Sequence, residues 1–219
     1  MKKSILTLTL VVLMTLVFSC HQSLTQDPKK DPAKQQVSVK KQELSGNDWE
    51  NPAVFAVNKE APHTAFVPFP DKDSAIENDR KKSIYCQSLN GSWKFNWSKK
   101  PADRPRDFYK PDFDVSQWKD IPVPSNWQLE DFGIPIYLNT QYPFKKDPPN
   151  IPHDYNPVGS YRTTFTIGDS WKDRQIYLHF GAVKSAMYLW INGEKVGYSQ
   201  GSKLPVTFES GGSPSPLGL

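Results

Sequence analysis

The chain has 219 residues, of which 37% are hydrophobic and 13% aromatic, so it can form one well-cored domain with appended segments. Its formal net charge of +4 is too small for a polybasic surface, which argues against nucleic acid as a partner. Twenty prolines disfavour long helices and favour short strands joined by ordered turns. Composition therefore predicts an all-β fold.

The amino terminus has the pattern of an export signal. Lys2 and Lys3 precede an apolar run over residues 5–18, which is shorter than the ~20 residues of a membrane-spanning helix. The run ends in Val-Phe-Ser-Cys, which resembles a bacterial lipoprotein box with Cys20 as its lipidated residue. We expect residues 1–19 to be removed and the protein to be lipid-anchored in the bacterial cell envelope, in the periplasm or at the outer membrane. A plain secretory signal is the alternative.

Residues 20–46 are rich in Gln, Lys, Asp, Pro and Ser, and such a segment cannot bury enough apolar surface to fold. We interpret it as a disordered tether. Lipidation of Cys20 would leave Cys86 without a disulfide partner. The four histidines are scattered, so the sequence predicts neither a metal nor a cofactor in this chain, and His179 is expected to be a half-exposed strand residue.

Ordered structure is expected from Asn47, where Trp49 would pin an extended arm against a larger body. Residues 71–82 are charged and are interpreted as an exposed, turn-rich connection. A strand follows, with Trp93, Phe95 and Trp97 on one face. This aromatic stripe favours a core strand, and a sugar-binding platform is the alternative.

The second half of the chain contains further alternating segments, at 158–167, 176–180 and 187–191. Asn192-Gly193 predicts a type I′ hairpin turn, because both central positions need a positive φ. The polar segment 199–203 is interpreted as a loop that could present hydrogen-bonding groups to a ligand, or as a plain surface turn. Short strands separated by Pro and Gly loops predict a two-sheet β-sandwich of the jelly-roll kind.

Six strings occur together and in order. Their set resembles the amino-terminal part of the large β-galactosidases of glycoside hydrolase family 2. They are Asp-Trp-Glu-Asn-Pro at 48–52, Leu-Asn-Gly-Ser-Trp at 89–93, Pro-Ser-Asn-Trp-Gln at 124–128, Pro-Ile-Tyr-Leu-Asn at 135–139, Gly-Ser-Tyr-Arg at 159–162 and Gly-Tyr-Ser-Gln-Gly-Ser-Lys-Leu-Pro at 197–205.

The resemblance implies a jelly-roll domain that packs on a central (β/α)₈ barrel and completes one wall of a galactose pocket. Both catalytic carboxylates of the retaining reaction belong to the barrel, so no catalytic residue is assigned to this chain. The string at 135–139 implies that Asn139, with its neighbour Thr140, contacts the sugar. The family's Mg²⁺ and Na⁺ sites are not transferred to this chain. Enteric-type members carry an Asp that helps bind both the sugar and Na⁺ where this chain has Gly201, so neither role is assigned to Gly201.

After Glu209 the family would continue into the closing strands of the jelly roll, whereas residues 210–219 are rich in Gly, Ser and Pro. We therefore expect residues 47–209 to form the arm and a jelly roll without its closing strands. The expected function is that of a fragment of an exported β-galactosidase, which binds a β-galactoside and is inactive alone. A stand-alone carbohydrate-binding module and a structural or assembly domain without ligand are the alternatives.

Overall fold

The computed structural model describes the backbone of residues 5–13 and all of residues 47–136 and 143–210. These regions are nearly all β, with one short α-helix, and this confirms the predicted fold class. The elements are β1 (Ile5–Leu13), β2 (Ala56–Val57), α1 (Lys72–Glu77), β3 (Gly91–Ser98), β4 (Lys119–Val123), β5 (Val158–Thr166), β6 (Tyr177–Phe180), β7 (Ala186–Ile191), β8 (Glu194–Gln200) and β9 (Val206–Glu209).

The strands form two antiparallel sheets. The large sheet has the order β2-β8-β7-β1-β5-β3-β4, and the small sheet pairs β6 with β9. The small sheet covers one face of the large one, and its Leu178, Val206 and Phe208 share a core cluster with residues of β3 and β7. Neither sheet closes on itself, so the fold is a jelly-roll-like sandwich with open sheets.

The inner core lies between the two sheets. Trp93 and Phe95 are buried there and Trp97 is partly buried, so the stripe on β3 is core rather than an exposed platform. The other expected core positions agree, with three buried and Phe165 partly buried. The three are Tyr161, Leu189 and Ile191.

The opposite face of the large sheet is covered by a second cluster, which we call the outer aromatic layer. Its buried members are Phe108, Val158, Ala186, Tyr188 and Tyr198, packed by Trp49, Val54, Val57, Phe113, Trp118 and Trp190. Ring contacts hold it together, among them Tyr109 stacked on Trp190 at 5.5 Å. The large sheet therefore has apolar packing on both faces.

The hairpin turn between β7 and β8 is confirmed, with φ of 51° at Asn192 and 90° at Gly193. One expectation was wrong and another was incomplete. β8 runs to Gln200, whose N–H donates to the carbonyl of Phe55, so the polar loop begins only at Gly201. Residues 71–82 are mostly exposed, as expected, but they contain α1, which Asp71 caps by accepting from the N–H of Ser74 at 2.8 Å.

Residues 5–13, which the sequence predicts to belong to an export leader, form the strand β1 in this structure. β1 lies between β5 and β7 in the large sheet. Cys20, the tether and residues 211–219 lie outside the described residues, so their assignments stay predictions.

Candidate functional site

Asn139 and Thr140 lie in residues 137–142, outside the described part of the chain, but the residues on either side are placed. Ile136 and Phe144 both line one aromatic cleft. The described residues nearest to Asn139 and Thr140 on both sides in the chain therefore belong to the same cleft. The remaining lining residues are Trp97, Trp127, Gln128, Gly133, Ile134, Tyr155 and Pro157.

Trp127 fixes the inner side of the cleft. It lies in a 3₁₀ turn over Trp127–Leu129, after a proline-rich stretch that cannot form a helix. Its ring is 5.9 Å from that of Phe95, and Phe132 contacts the same Phe95 ring at 4.7 Å. The cleft is thus built directly on the inner core and inherits its rigidity.

One buried N–H group belongs to a residue that lines the cleft, and a second belongs to a residue beside the lining in the chain. The indole N–H of Trp97 has no hydrogen-bond partner among the described residues, and neither has the side-chain amide nitrogen of Asn156. Asn156 lies between Tyr155 and Pro157, two residues that line the cleft. An N–H group buried without a partner costs free energy. Of these two groups, only the N–H of Trp97 belongs to a residue of the cleft lining.

Glu50 links the amino-terminal arm to the loop at 151–153, which shortly precedes the lining residue Tyr155 in the chain. Its carboxylate accepts hydrogen bonds from His153 Nε2 at 2.6 Å, the N–H of Ile151 at 3.3 Å and Asn47 Nδ2 at 2.9 Å. Burial raises the pKa of Glu50, but the hydrogen bonds from Asn47, His153 and Ile151 outweigh it and leave this pKa below its ordinary value. The carboxylate therefore stays ionised and holds the loop at 151–153 to the arm.

The cleft encloses only about 10 Å³, which is roughly the space of one water molecule. A bound sugar needs far more room, since ligand pockets hold roughly 300–1,000 Å³. The described residues of the cleft thus present aromatic faces and the N–H of Trp97, but they do not enclose a space of that size.

Two other polar positions lie away from this cleft. Gly201 has a φ of 132°, which favours glycine, and its N–H donates to the carbonyl of Ser185 at 2.7 Å. His179 is on the small sheet, where its Nδ1 lies 3.0 Å from the hydroxyl of Thr207. The structure does not bring Gly201 or His179 into the lining of the aromatic cleft.

Within the described residues there is no group of three or more His, Cys, Asp or Glu side chains that could hold a metal ion. In the same part of the chain, no helix is long and apolar enough to cross a membrane. The thiol of Cys86 is free.

Sequence reasoning did not single out Phe144, Tyr155 or Asn156, and for Trp97 it favoured the core, with a sugar-binding platform as the alternative. The available signal was the position of Phe144 and Tyr155, two aromatic residues shortly after the Asn-Thr pair in a proline-rich stretch.

Residues 86–211 match the family model described as glycosyl hydrolases family 2, sugar binding domain. This range contains every lining residue of the cleft. The arm over 47–85 lies before it.

The chain is also similar to curated β-galactosidases. It is 43% identical over 167 residues to that of Priestia megaterium, which covers 74% of this chain and 16% of the relative. It is 43% identical over 166 residues to that of Vibrio cholerae, covering 76% of this chain and 16% of the relative. For that of Yersinia pestis the identity is 41% over 182 residues, 83% of this chain and 17% of the relative.

The chain thus spans about a sixth of the length of these relatives. The family model covers more than half of the chain. With the sandwich fold and the cleft inside the matched range, the chain belongs to glycoside hydrolase family 2, and residues 86–211 are its sugar-binding domain.

Proposed function

We propose that the chain is a fragment of an exported β-galactosidase and supplies one wall of its galactose pocket. One observation supports this most. Ile136 and Phe144, which flank the segment with Asn139 and Thr140, line the same aromatic cleft as Trp97 and Trp127. The amide of Asn139 can both donate to and accept from sugar hydroxyls, and the hydroxyl of Thr140 can do the same.

In this proposal, the parent enzyme hydrolyses terminal β-D-galactosides with retention of configuration. That reaction needs two carboxyl groups about 5–5.5 Å apart on either side of the glycosidic bond. Both belong to the barrel of the parent enzyme, so this chain is inactive alone. The small volume of the cleft supports a site with a second wall from elsewhere.

The same proposal divides the chain into a leader (1–19), a tether (20–46), the arm and sandwich (47–209) and a tail (210–219). Lipid on Cys20 anchors it to the bacterial envelope. Labelling with a fatty-acid analogue in cells should mark the wild type but not Cys20→Ala. Equal labelling of the two proteins would contradict the anchor.

Sugar binding is tested by titrating the full chain with methyl β-D-galactoside and following tryptophan fluorescence, because Trp97 and Trp127 line the cleft. We expect weak, millimolar binding that Asn139→Ala abolishes. Asn150→Ala changes an exposed asparagine outside the lining and should bind as the wild type does. Identical titrations for Asn139→Ala and wild type would contradict the proposed wall.

The assay with a chromogenic galactoside completes the experiment. The full chain should show no hydrolysis above a mock preparation. Hydrolysis that co-purifies with the chain through successive columns would overturn the fragment proposal. Micromolar binding by the chain alone would instead favour a stand-alone carbohydrate-binding module.

A further inference from the structure

The gap between β5 and β7 has the properties of a binding site for one β-strand. We propose that the rest of the large sheet is a preformed acceptor for an extended peptide, and that Ile5–Leu13 occupies it as a tethered, exchangeable ligand. This inference concerns strand recognition and does not depend on the proposed sugar site.

The backbone register defines the site. β1 pairs with β5 along nine residues and with β7 along six, antiparallel to both. Neighbouring strands lie about 4.8 Å apart, so β5 and β7 are separated by roughly 9.6 Å and cannot bond directly to each other. Each therefore presents a row of N–H and C=O groups toward the gap, and one strand satisfies both rows.

The halves of the sheet on either side of the gap are built without β1. β5 pairs with β3, which pairs with β4, while β7 pairs with β8, which pairs with β2. The small sheet and the inner core bridge the two halves, because residues of β3, β7 and β9 share one cluster. The two halves of the sheet are thus also joined to each other by side-chain packing through the small sheet, independently of their pairing with β1.

The register also indicates which peptide sequence fits the gap between β5 and β7. The even-numbered positions of β1 are partners of inner-core residues, and the sequence places leucine or valine at each of them. Position 6 pairs with Phe165, position 8 with Ile191, position 10 with Tyr161 and Leu189, and position 12 with Met187. A peptide of about nine residues with apolar side chains at alternate positions is therefore the matching ligand.

The connection between β1 and the rest of the chain is long. Residues 14–46 join Leu13 to the start of the arm at Asn47. A segment on such a tether behaves as a ligand at an effective concentration in the millimolar range. The same residues are those proposed above as the export leader, so a chain folded in this way withholds its leader from the membrane.

The first test is a cross-link in the full chain, made by cell-free synthesis without membranes in a Cys20→Ser, Cys86→Ser background. Thr7 and Thr164 are register partners, and partner positions have the Cα separation that a disulfide needs. The pair Thr7→Cys with Thr164→Cys should form a disulfide. The shifted control, Thr7→Cys with Thr163→Cys, places the two cysteines on opposite faces and should give at least tenfold less product. Equal yields would overturn the proposal.

The second test asks whether the acceptor takes the peptide in trans. Thr9→Pro removes a strand donor from β1 and should release it, whereas the wild-type site stays filled. A dye-labelled Ile5–Leu13 peptide with terminal lysines should bind the Thr9→Pro chain at least tenfold more tightly than the wild type. A peptide of the same composition without alternation is the control. The proposal would be contradicted if the two peptides bound the Thr9→Pro chain equally, or if the Ile5–Leu13 peptide bound the Thr9→Pro and wild-type chains equally. If Thr9→Pro fails to fold, the cross-link still tests the proposal.

Discussion

The hydroxyl of Tyr188 donates a hydrogen bond of 2.6 Å to the carboxylate of Asp48, which lies 140 residues earlier in the chain. Both side chains are buried. Burial, and next the hydrogen bond to Asp48, raises the pKa of Tyr188, so its hydroxyl remains a donor. Lys195 lies 3.8 Å from the same carboxylate. The amino-terminal arm is therefore fastened to the outer aromatic layer through a buried carboxylate, not by Trp49 alone.

Tyr188→Phe should weaken this attachment. The substitution leaves a buried carboxylate without its hydroxyl donor, and hydrogen bonds to charged groups contribute about 1.5–3 kcal/mol. We expect a loss of unfolding free energy in that range in urea denaturation of the full chain. Tyr177→Phe removes an exposed hydroxyl and should change stability little. Equal effects of the two substitutions would show that the link to Asp48 does not stabilise the fold.

Gly159→Ala should be destabilising, because an added Cβ would lie 2.4 Å from the ring of Trp127 and 2.7 Å from that of Phe95. Both rings are buried and cannot move aside freely, so overpacking of about 1–3 kcal/mol is expected. The control is Gly168→Ala, whose φ of −72° suits alanine and whose nearest neighbour is 3.7 Å away. A melting temperature unchanged in Gly159→Ala would contradict the close packing under the cleft.

Arg162→Lys tests the hydrogen bonds by which Arg162 on β5 holds the loop before β4 to the large sheet. The guanidinium of Arg162 donates to the carbonyls of Phe113 at 2.6 Å and Pro111 at 2.5 Å. A lysine cannot reproduce this fork, so we expect a loss of about 1.5–3 kcal/mol and faster hydrogen exchange in residues 108–118. Arg106→Lys, at an exposed arginine, is the matched control and should behave as the wild type does.

The small sheet should lose stability as the pH falls. Burial lowers the pKa of His179, and Arg80 and His63 lower it further. The folded state therefore binds the proton less readily than the unfolded state, whose pKa is about 6.5. The contribution of neutral His179 to the stability of the folded state is complete above about pH 6.5. It is lost as the pH falls through the lower pKa that His179 has in the folded state.

Hydrogen exchange of β6 and β9 should thus speed up between pH 7.5 and 5 relative to that of β3 and β4, after correction for the intrinsic rate. In His179→Gln this relative change should be smaller. An unchanged pH dependence in His179→Gln would assign the effect to another group.

The sequence predicted the inner core well, because residues such as Trp93, Phe95 and Leu189 alternate on strands whose period can be counted. It predicted the hairpin at Asn192 for a different local reason, because Asn-Gly allows the positive φ that both central turn positions need. The outer aromatic layer could not be predicted, because rings that pack on Tyr188 and Trp190, such as those of Trp49 and Phe108, come from segments that are distant in the chain. Burial of Asp48 depends on a tyrosine that no local pattern connects to it.

The cleft was predictable only in part. A resemblance assigned Asn139 to a sugar contact, but the aromatic residues that line the cleft come from β3, a 3₁₀ turn and the loop before β5. Only the fold brings these separate segments together. Trp97 illustrates this difficulty, because a residue in a line of core side chains can also border a cleft when it lies near the end of its strand.

The pairing of β2 with β8 has a consequence for the order of folding. Ala56 and Val57 are synthesised early, yet their partners are Ser199 and Tyr198, near the end of the domain. During synthesis the arm must therefore wait until nearly the whole domain has left the ribosome before it can dock. Contacts this distant in sequence make folding slow, and during that interval the apolar faces of the strands are exposed to chaperones and to other chains.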